Sequence, residues 1–203
     1  KSINTTTQTQ TQTQTQTQTQ TQNETSMSES LKGKIAYMAQ QDLLLPWLSI
    51  IDNLCLSEKF DQQRPVDRGQ ALHLLHEIGL YQQRNARPET LSGGMRQRVA
   101  LARTLMQEKP IVLMDEPFSA LDAVTRHQLQ NLAHQLLKGK TVILITHDPF
   151  EALRLGDSIY VLNGEPAKAE AIAVPPIPTP RRLDQLDGHA IEQIMQLLGS
   201  HDD

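Results

Sequence analysis

Residues Ile111-Val112-Leu113-Met114-Asp115-Glu116 decide the fold: four apolar residues in a row, closed by two carboxylates. An unbroken apolar run of this length suits a strand buried on both faces, as in a parallel sheet. A second run of the same kind, Thr141-Val142-Ile143-Leu144-Ile145, ends in Thr146-His147-Asp148. A helix is predicted between them, from about Ala123 to Leu137. Strand, helix and strand in this order predict a parallel sheet covered on both faces. In such sheets chemistry gathers at the carboxyl ends of the strands, and both runs end there in ionisable residues.

Upstream, Lys34 to Ala39 reads as a short buried strand, followed by the polar Gln40-Gln41-Asp42. Leu43-Leu44-Leu45-Pro46-Trp47-Leu48 is too short and too broken by proline for a long helix, and is expected to be an apolar loop. Ser49 is placed to cap a helix through Ile51 and Leu54. A further helix is expected from about Val66 to Leu80, with Ala71, Leu74, Leu75 and Ile78 on one stripe. Leu91-Ser92-Gly93-Gly94 opens another, with Val99, Leu101, Ala102 and Leu105 as its apolar positions and Pro110 as its stop. Downstream come a strand at Ser158–Leu162, a proline-rich linker from Pro175 to Pro180 and a small helix from Ala190 to Leu198.

The composition narrows the function classes. The chain of 203 residues carries a net charge of −4, with a pI near 6.0. That balance argues against nucleic acid as a partner. Aromatics at 3% leave no stacking platform for bases. One cysteine, Cys55, excludes a disulfide framework and suits a reducing compartment. No apolar run approaches a membrane span, and the N-terminus lacks the apolar stretch of a secretory signal. Residues 1–30 hold only Ile3 and Met27 from the hydrophobic set, and from Thr7 to Gln22 they repeat Thr-Gln. Such a tract has no apolar face and is expected to be a disordered, solvated linker; a polar-zipper interaction segment is the alternative.

Four features carry chemistry, in fixed order: Gln40 after a strand; Leu91-Ser92-Gly93-Gly94-Met95-Arg96-Gln97-Arg98 at a helix start; Asp115-Glu116 with Ser119-Ala120-Leu121-Asp122 close behind; and His147 after the next strand. Two glycines at a helix start let backbone amides approach a phosphate, which the helix dipole favours. Asp115 suits ligation of Mg²⁺ by a hard oxygen, and Glu116 can polarise an attacking water. His147 stands 31 residues after Glu116, at the end of the adjacent strand, where it suits phosphate sensing. His73 and His76 have helical ligand spacing, but with no third ligand evident they read as a solvated face.

In this order the residues resemble the nucleotide-binding subunit of an ATP-binding cassette (ABC) transporter, over roughly residues 31–165. The resemblance implies an α/β fold: an incomplete P-loop NTPase (ABC ATPase) core with a parallel sheet, plus an α-helical signature subdomain at about 46–108. The domain lacking a complete phosphate loop would cover 31–165, after the repeat at 1–30 and before a C-terminal extension at 166–203. It further implies ATP and Mg²⁺ as cofactors. Gln40 would contact Mg²⁺ or the attacking water. Ser92, Gly93 and Gly94 would clamp the γ-phosphate of ATP bound mainly to a second copy. Asp115 would hold Mg²⁺, Glu116 would be the general base, Asp122 would lie in the loop crossing the dimer interface, and His147 would touch the γ-phosphate.

The implied partners are a second ATP-binding subunit in a head-to-tail homodimer, transmembrane permease subunits docking at Leu43 to Leu48 and the following helix, and indirectly a periplasmic solute-binding protein. The implied location is cytoplasmic, peripheral on the inner face of the cell membrane. Leu-Leu-Pro-Trp-Leu-Ser together with Leu-Ser-Gly-Gly-Met-Arg-Gln-Arg-Val looks like importers of the nitrate, sulfonate, taurine and hydroxymethylpyrimidine group. DNA-maintenance and ribosome-associated cassettes fit less well, because Gln40 and Leu91 are only 51 residues apart and there is one cassette.

The phosphate-cradling loop G-x-x-x-x-G-K-[ST] is absent from the interior of the chain. Lys1-Ser2 match its last two residues, 39 residues before Gln40, but Ile3-Asn4-Thr5-Thr6-Thr7-Gln8 does not continue as the apolar helix the family places there. Lys1-Ser2 is either coincidental or the end of a cut loop. In both cases this chain alone is expected to bind ATP poorly or not at all. The competing expectation from a different class is a truncated, non-catalytic remnant acting at most as an interaction module.

Overall fold

A computed structural model describes residues 30–56 and 67–199. The Thr-Gln repeat, Lys1-Ser2 and Val66 lie outside the described residues. Among the described residues, 30–35 belong to one unit and those from 36 onward to a second. In the first, the Lys34 amide donates to the Leu31 carbonyl at 3.0 Å across a turn that places Gly33 at φ +73°.

The central sheet has the order β1 (Ile35–Met38), β2 (Ile111–Asp115), β3 (Thr141–Ile145). β2 and β3 run parallel, with Ile111 opposite Thr141 and Asp115 opposite Ile145, so both strands deliver their carboxyl ends to one edge. Between β1 and β2 come α1 (Ile50–Leu54), α2 (Arg68–Glu77) and α3 (Gly93–Leu105); α4 (Ala123–Leu136) joins β2 to β3. Next are α5 (Pro149–Leu155), an antiparallel ribbon of β4 (Ile159–Asn163) and β5 (Lys168–Ile172), and α6 (Gly188–Gly199).

Local chemistry sets these boundaries. Ser49, Ser92 and Asp122 cap α1, α3 and α4, each accepting from a backbone amide of the first turn at 3.2, 3.3 and 3.0–3.1 Å. α2 ends before Leu80 because Gly79 takes φ +72°. There the Leu80 amide reaches back to the Leu75 carbonyl at 2.8 Å and the Gly79 amide to His76 at 3.0 Å, a Schellman closure. α3 stops at Leu105, ahead of Pro110, where Glu108 turns to φ +51°.

Ala71, Leu75 and Ile78 of the α2 stripe and Val99, Leu101 and Ala102 of α3 are fully buried, in one core with Val112, Met114, Phe118 and Leu129. Full burial of each Leu or Ile side chain stabilises by about 1.5–3 kcal/mol relative to exposure. A second, smaller core unites Leu153 of α5, Ile159, Val161 and Ile172 of the ribbon, and Ala190 and Ile194 of α6.

Three features differ from expectation. β1, read as buried, alternates, with Ala36 and Met38 buried but Ile35 and Tyr37 exposed. β3 is largely exposed, with Val142, Ile143 and Ile145 at 39%, 51% and 49%. Among the described residues it is the outer strand of the sheet, with β2 on one side and no strand on the other, so an apolar run that reads as doubly covered stays open. The strand read at Ser158–Leu162 belongs to a separate two-stranded sheet, paired with a strand the sequence pattern did not reveal, Lys168-Ala-Glu-Ala-Ile172.

α4 and α5 meet through a polar network. Gln130 Nε2 donates to Glu151 Oε1 at 2.9 Å, and its Oε1 accepts from Arg154 Nη1 at 2.8 Å. Burial pushes the Glu151 carboxyl above the ordinary carboxylate value, and hydrogen bonds from Thr146 and Gln130 only partly offset it. The folded state therefore holds the Glu151 proton more tightly than the unfolded chain. The stability this contributes is present below the unfolded value and is lost as pH rises through the folded one. Glu151→Gln is expected to flatten the fall in urea midpoint that the wild type shows on going from about pH 4.5 to neutral; an unchanged slope would count against this assignment.

Candidate functional site

The carboxyl end of β2 places Asp115 and Glu116 beside the end of β3. Glu116 sits at φ +42°, a left-handed conformation that costs a non-glycine residue about 1–3 kcal/mol. Its amide donates to the Ile145 carbonyl at 2.9 Å, which holds it there. The turn aims the carboxylate at two partners. Gln40 Nε2 donates to Glu116 Oε2 at 3.0 Å, and His147 Nδ1 lies 2.8 Å from Oε1. Gln40 Nε2 also lies 3.4 Å from Ser119 Oγ, which donates to the Glu116 carbonyl at 3.1 Å. Gln40, Glu116 and His147, separated by 76 and 31 residues, thus share one carboxylate. The His147 side chain is 69% exposed and Glu116 26%, so the group opens to solvent and to a ligand.

Asp115 accepts from the Tyr37 hydroxyl at 3.1 Å, and that hydrogen bond raises the Tyr37 phenol above its ordinary value. Oxygen donors are plentiful here: the second Asp115 oxygen, the Gln40 amide oxygen and the Glu116 carboxylate. His73 and His76 lie on the exposed side of α2.

Ser92, Gly93 and Gly94 form the start of α3, and Asp122 the start of α4. These two helix starts pack closely. A methyl group on Gly94 would fall 2.4 Å from Thr125 Cγ2 and 4.0 Å from Leu121 Cδ2, so glycine is required there by contact, with no special backbone angle involved. Hydrogen bonds from the Thr125 hydroxyl and from backbone amides hold the Asp122 carboxyl below its ordinary value, so it stays charged.

Gln97, which the sequence reading passed over within its own motif, joins the two groups. It is 5% exposed, and its Nε2 donates to the Gln40 carbonyl at 3.0 Å and to the Pro117 carbonyl at 2.9 Å. Arg96 pairs with Asp42 at 2.9 Å, and Arg103 donates to the carbonyls of Asp42 and Leu43 at 2.6 and 2.8 Å. Three side chains of α3 therefore fix the segment that carries Gln40. Only a residue count along the helix, with Gln97 five positions after Ser92, could have drawn attention to it.

A family model described as "ABC transporter" matches residues 1–119. The chain is 45% identical over 83% of its length to an uncharacterized ABC transporter ATP-binding protein of Haemophilus influenzae. The chain belongs to the ABC transporter family. It is 43% identical, over 75% of its length, to an aliphatic sulfonates import ATP-binding protein, SsuB, of Delftia acidovorans. Among solved structures it is similar to the ATP-binding cassette MJ0796 in a dimeric post-hydrolysis state bound to ADP and Pi, with TM-score 0.52 and 37% identity over 59% of this chain. The α/β cassette fold with its parallel sheet is thus shared with this ABC protein. The chain spans 72% of the Haemophilus protein, 61% of the Delftia protein and 54% of the solved cassette. Among the described residues no helix is long and apolar enough to cross a membrane.

Proposed function

We propose that this ABC-family chain is the ATP-hydrolysing subunit of an importer for a small organic anion, of the sulfonate class. The observation that carries the reading is the shared Glu116 carboxylate. A general base must lie within hydrogen-bond reach of the water it activates, and a carboxylate clasped by an amide donor and an imidazole is aimed for that task. Glu116 would accept the water's proton as the oxygen attacks the γ-phosphate, and ADP would leave with the β-phosphate oxygen. His147 would hold the γ-phosphate side of the site, while Gln40 would orient the water.

The oxygen donors at Asp115 and Gln40 suit Mg²⁺, which binds through one or two protein oxygens and completes its shell with water and phosphate. When bound, that ion neutralises charge on the β- and γ-phosphates. Ser92, Gly93, Gly94 and Asp122 would face the nucleotide of a second copy, as the dimeric relative suggests. The relative named as a sulfonate importer supports the cargo class.

The loop Leu43–Leu48 supports a membrane partner. Leu43 and Trp47 are 57% and 64% exposed, yet buried Asn53 pins the loop through Leu45, donating to its carbonyl at 3.1 Å and accepting from its amide at 2.7 Å. An apolar surface held rigid suits docking by a permease helix on the cytoplasmic side of the membrane. The partners that Gln40, Glu116 and His147 keep favour the catalytic reading over a non-catalytic remnant.

The test is phosphate release from saturating Mg-ATP by the protein assembled with its membrane partners. We expect turnover in the range of about 1–10³ s⁻¹ usual for enzymes, and no release would defeat the proposal. Trp47→Asp is expected to uncouple hydrolysis from the membrane partner without unfolding the chain.

A further inference from the structure

We propose that the cleft between α4, α5 and residues 180–184 is a binding site for a small tetrahedral oxyanion, of the sulfate or phosphate type. The cleft has a volume of about 640 Å³ and is lined by His127 and Asn131 of α4, Arg154 of α5, and Arg181, Arg182 and Asp184. Three guanidinium groups face one carboxylate there, a net charge of +2 in a chain whose formal charge is −4. Asp184 is engaged with Arg182, at 3.0 Å.

The other two cations are buried, Arg154 at 5% and Arg181 at 2% exposure. Buried guanidinium groups are ordinarily matched by a carboxylate or phosphate, because their desolvation is otherwise uncompensated. Here every partner is neutral. Arg154 donates to Gln130 Oε1 at 2.8 Å, Asn131 Oδ1 at 2.7 Å and His127 Nε2 at 2.9 Å. A guanidinium can only donate, so this His127 nitrogen is an unprotonated acceptor and adds no charge. Arg181 donates to the carbonyls of Leu153 at 2.7 Å, Gly156 at 2.8 Å and Pro175 at 3.1 Å. The Nε–H of both residues is buried with no acceptor.

The neutral acceptors hold the two guanidinium groups in place and leave their charge unmatched. Burial alone pulls the Arg154 guanidinium below its ordinary value, with no carboxylate acting against it. A doubly charged oxyanion supplies what is missing: charge, and several acceptors arranged for forked donors. The ATP site uses none of these residues. Bound there, the anion joins α4 to α5, the helices whose N-terminal caps are Asp122 and Asp148.

The experiment is isothermal titration of the chain with sodium sulfate and, separately, sodium phosphate, each against sodium chloride of equal ionic strength. We expect saturable binding of at least one oxyanion with a Kd of about 0.1–10 mM, and at least a tenfold loss in Arg154→Gln and in Arg182→Ala. The preferred anion then identifies the source. Arg182 is exposed, so Arg182→Ala decides the matter if Arg154→Gln fails to fold. Heats no greater than those of chloride, or equal affinity in wild type and Arg182→Ala, would overturn the proposal.

Discussion

Glu116→Gln is expected to lower ATP turnover by about two to four orders of magnitude, the range that a positioned general base contributes. The substitution keeps the shape of the side chain. Its amide oxygen still accepts from Gln40 Nε2, now at 3.0 Å from Glu116 Oε2, and its amide nitrogen donates to His147 Nδ1. What is lost is the ability to take a proton from water. Phosphate release should therefore fall while the thermal midpoint moves by no more than a few degrees. Retained turnover would remove Glu116 from the role of base, and a large drop in stability would mean that the carboxylate serves the fold.

The second large effect belongs to Gln97. Gln97→Leu leaves the carbonyls of Gln40 and Pro117 without their donor, in the joint between α3 and both strand ends. A buried polar group left unpaired costs about 1–3 kcal/mol. Gln97 Oε1 is itself buried without a partner, and its removal offsets part of that. A net loss of about 2 kcal/mol is expected by urea unfolding. Turnover should fall as well, by about tenfold or more, because Gln40 is no longer held over Glu116. The fall should persist at low temperature, where the variant is fully folded. Recovery of full activity there would limit Gln97 to a structural part.

The elements that read clearly in the sequence are those whose signals are local. Ile111–Met114 and Thr141–Ile145 are apolar runs, and Ser49 is an N-cap residue whose partner, the Asp52 amide, lies three positions away. Gln40, Asp115, Glu116 and His147 stood out by their order along the chain, and the fold brings Gln40 and His147 to one carboxylate. Lys168–Ile172 stayed hidden because one face carries only the small Ala169 and Ala171 and the other mixes Lys168 and Glu170 with Ile172; only Ile172 is buried, and pairing with β4 makes it a strand. The exposure of β3 was equally out of reach, since an apolar run does not say what covers it. Tyr37, Gln97 and Arg103 went unnoticed because their partners lie 78, 57 and 60 residues away.

The measurement that bears most directly on the central claim, that the Glu116 cluster and the Ser92 helix start act on one ATP across two subunits, is sedimentation velocity of Glu116→Gln in the natural full-length protein, with and without Mg-ATP. With hydrolysis blocked, the nucleotide should persist between two copies and shift the protein to a dimer, and adding Ser92→Arg should abolish the shift. A sedimentation profile indifferent to Mg-ATP, or a dimer that survives Ser92→Arg unchanged, would contradict it.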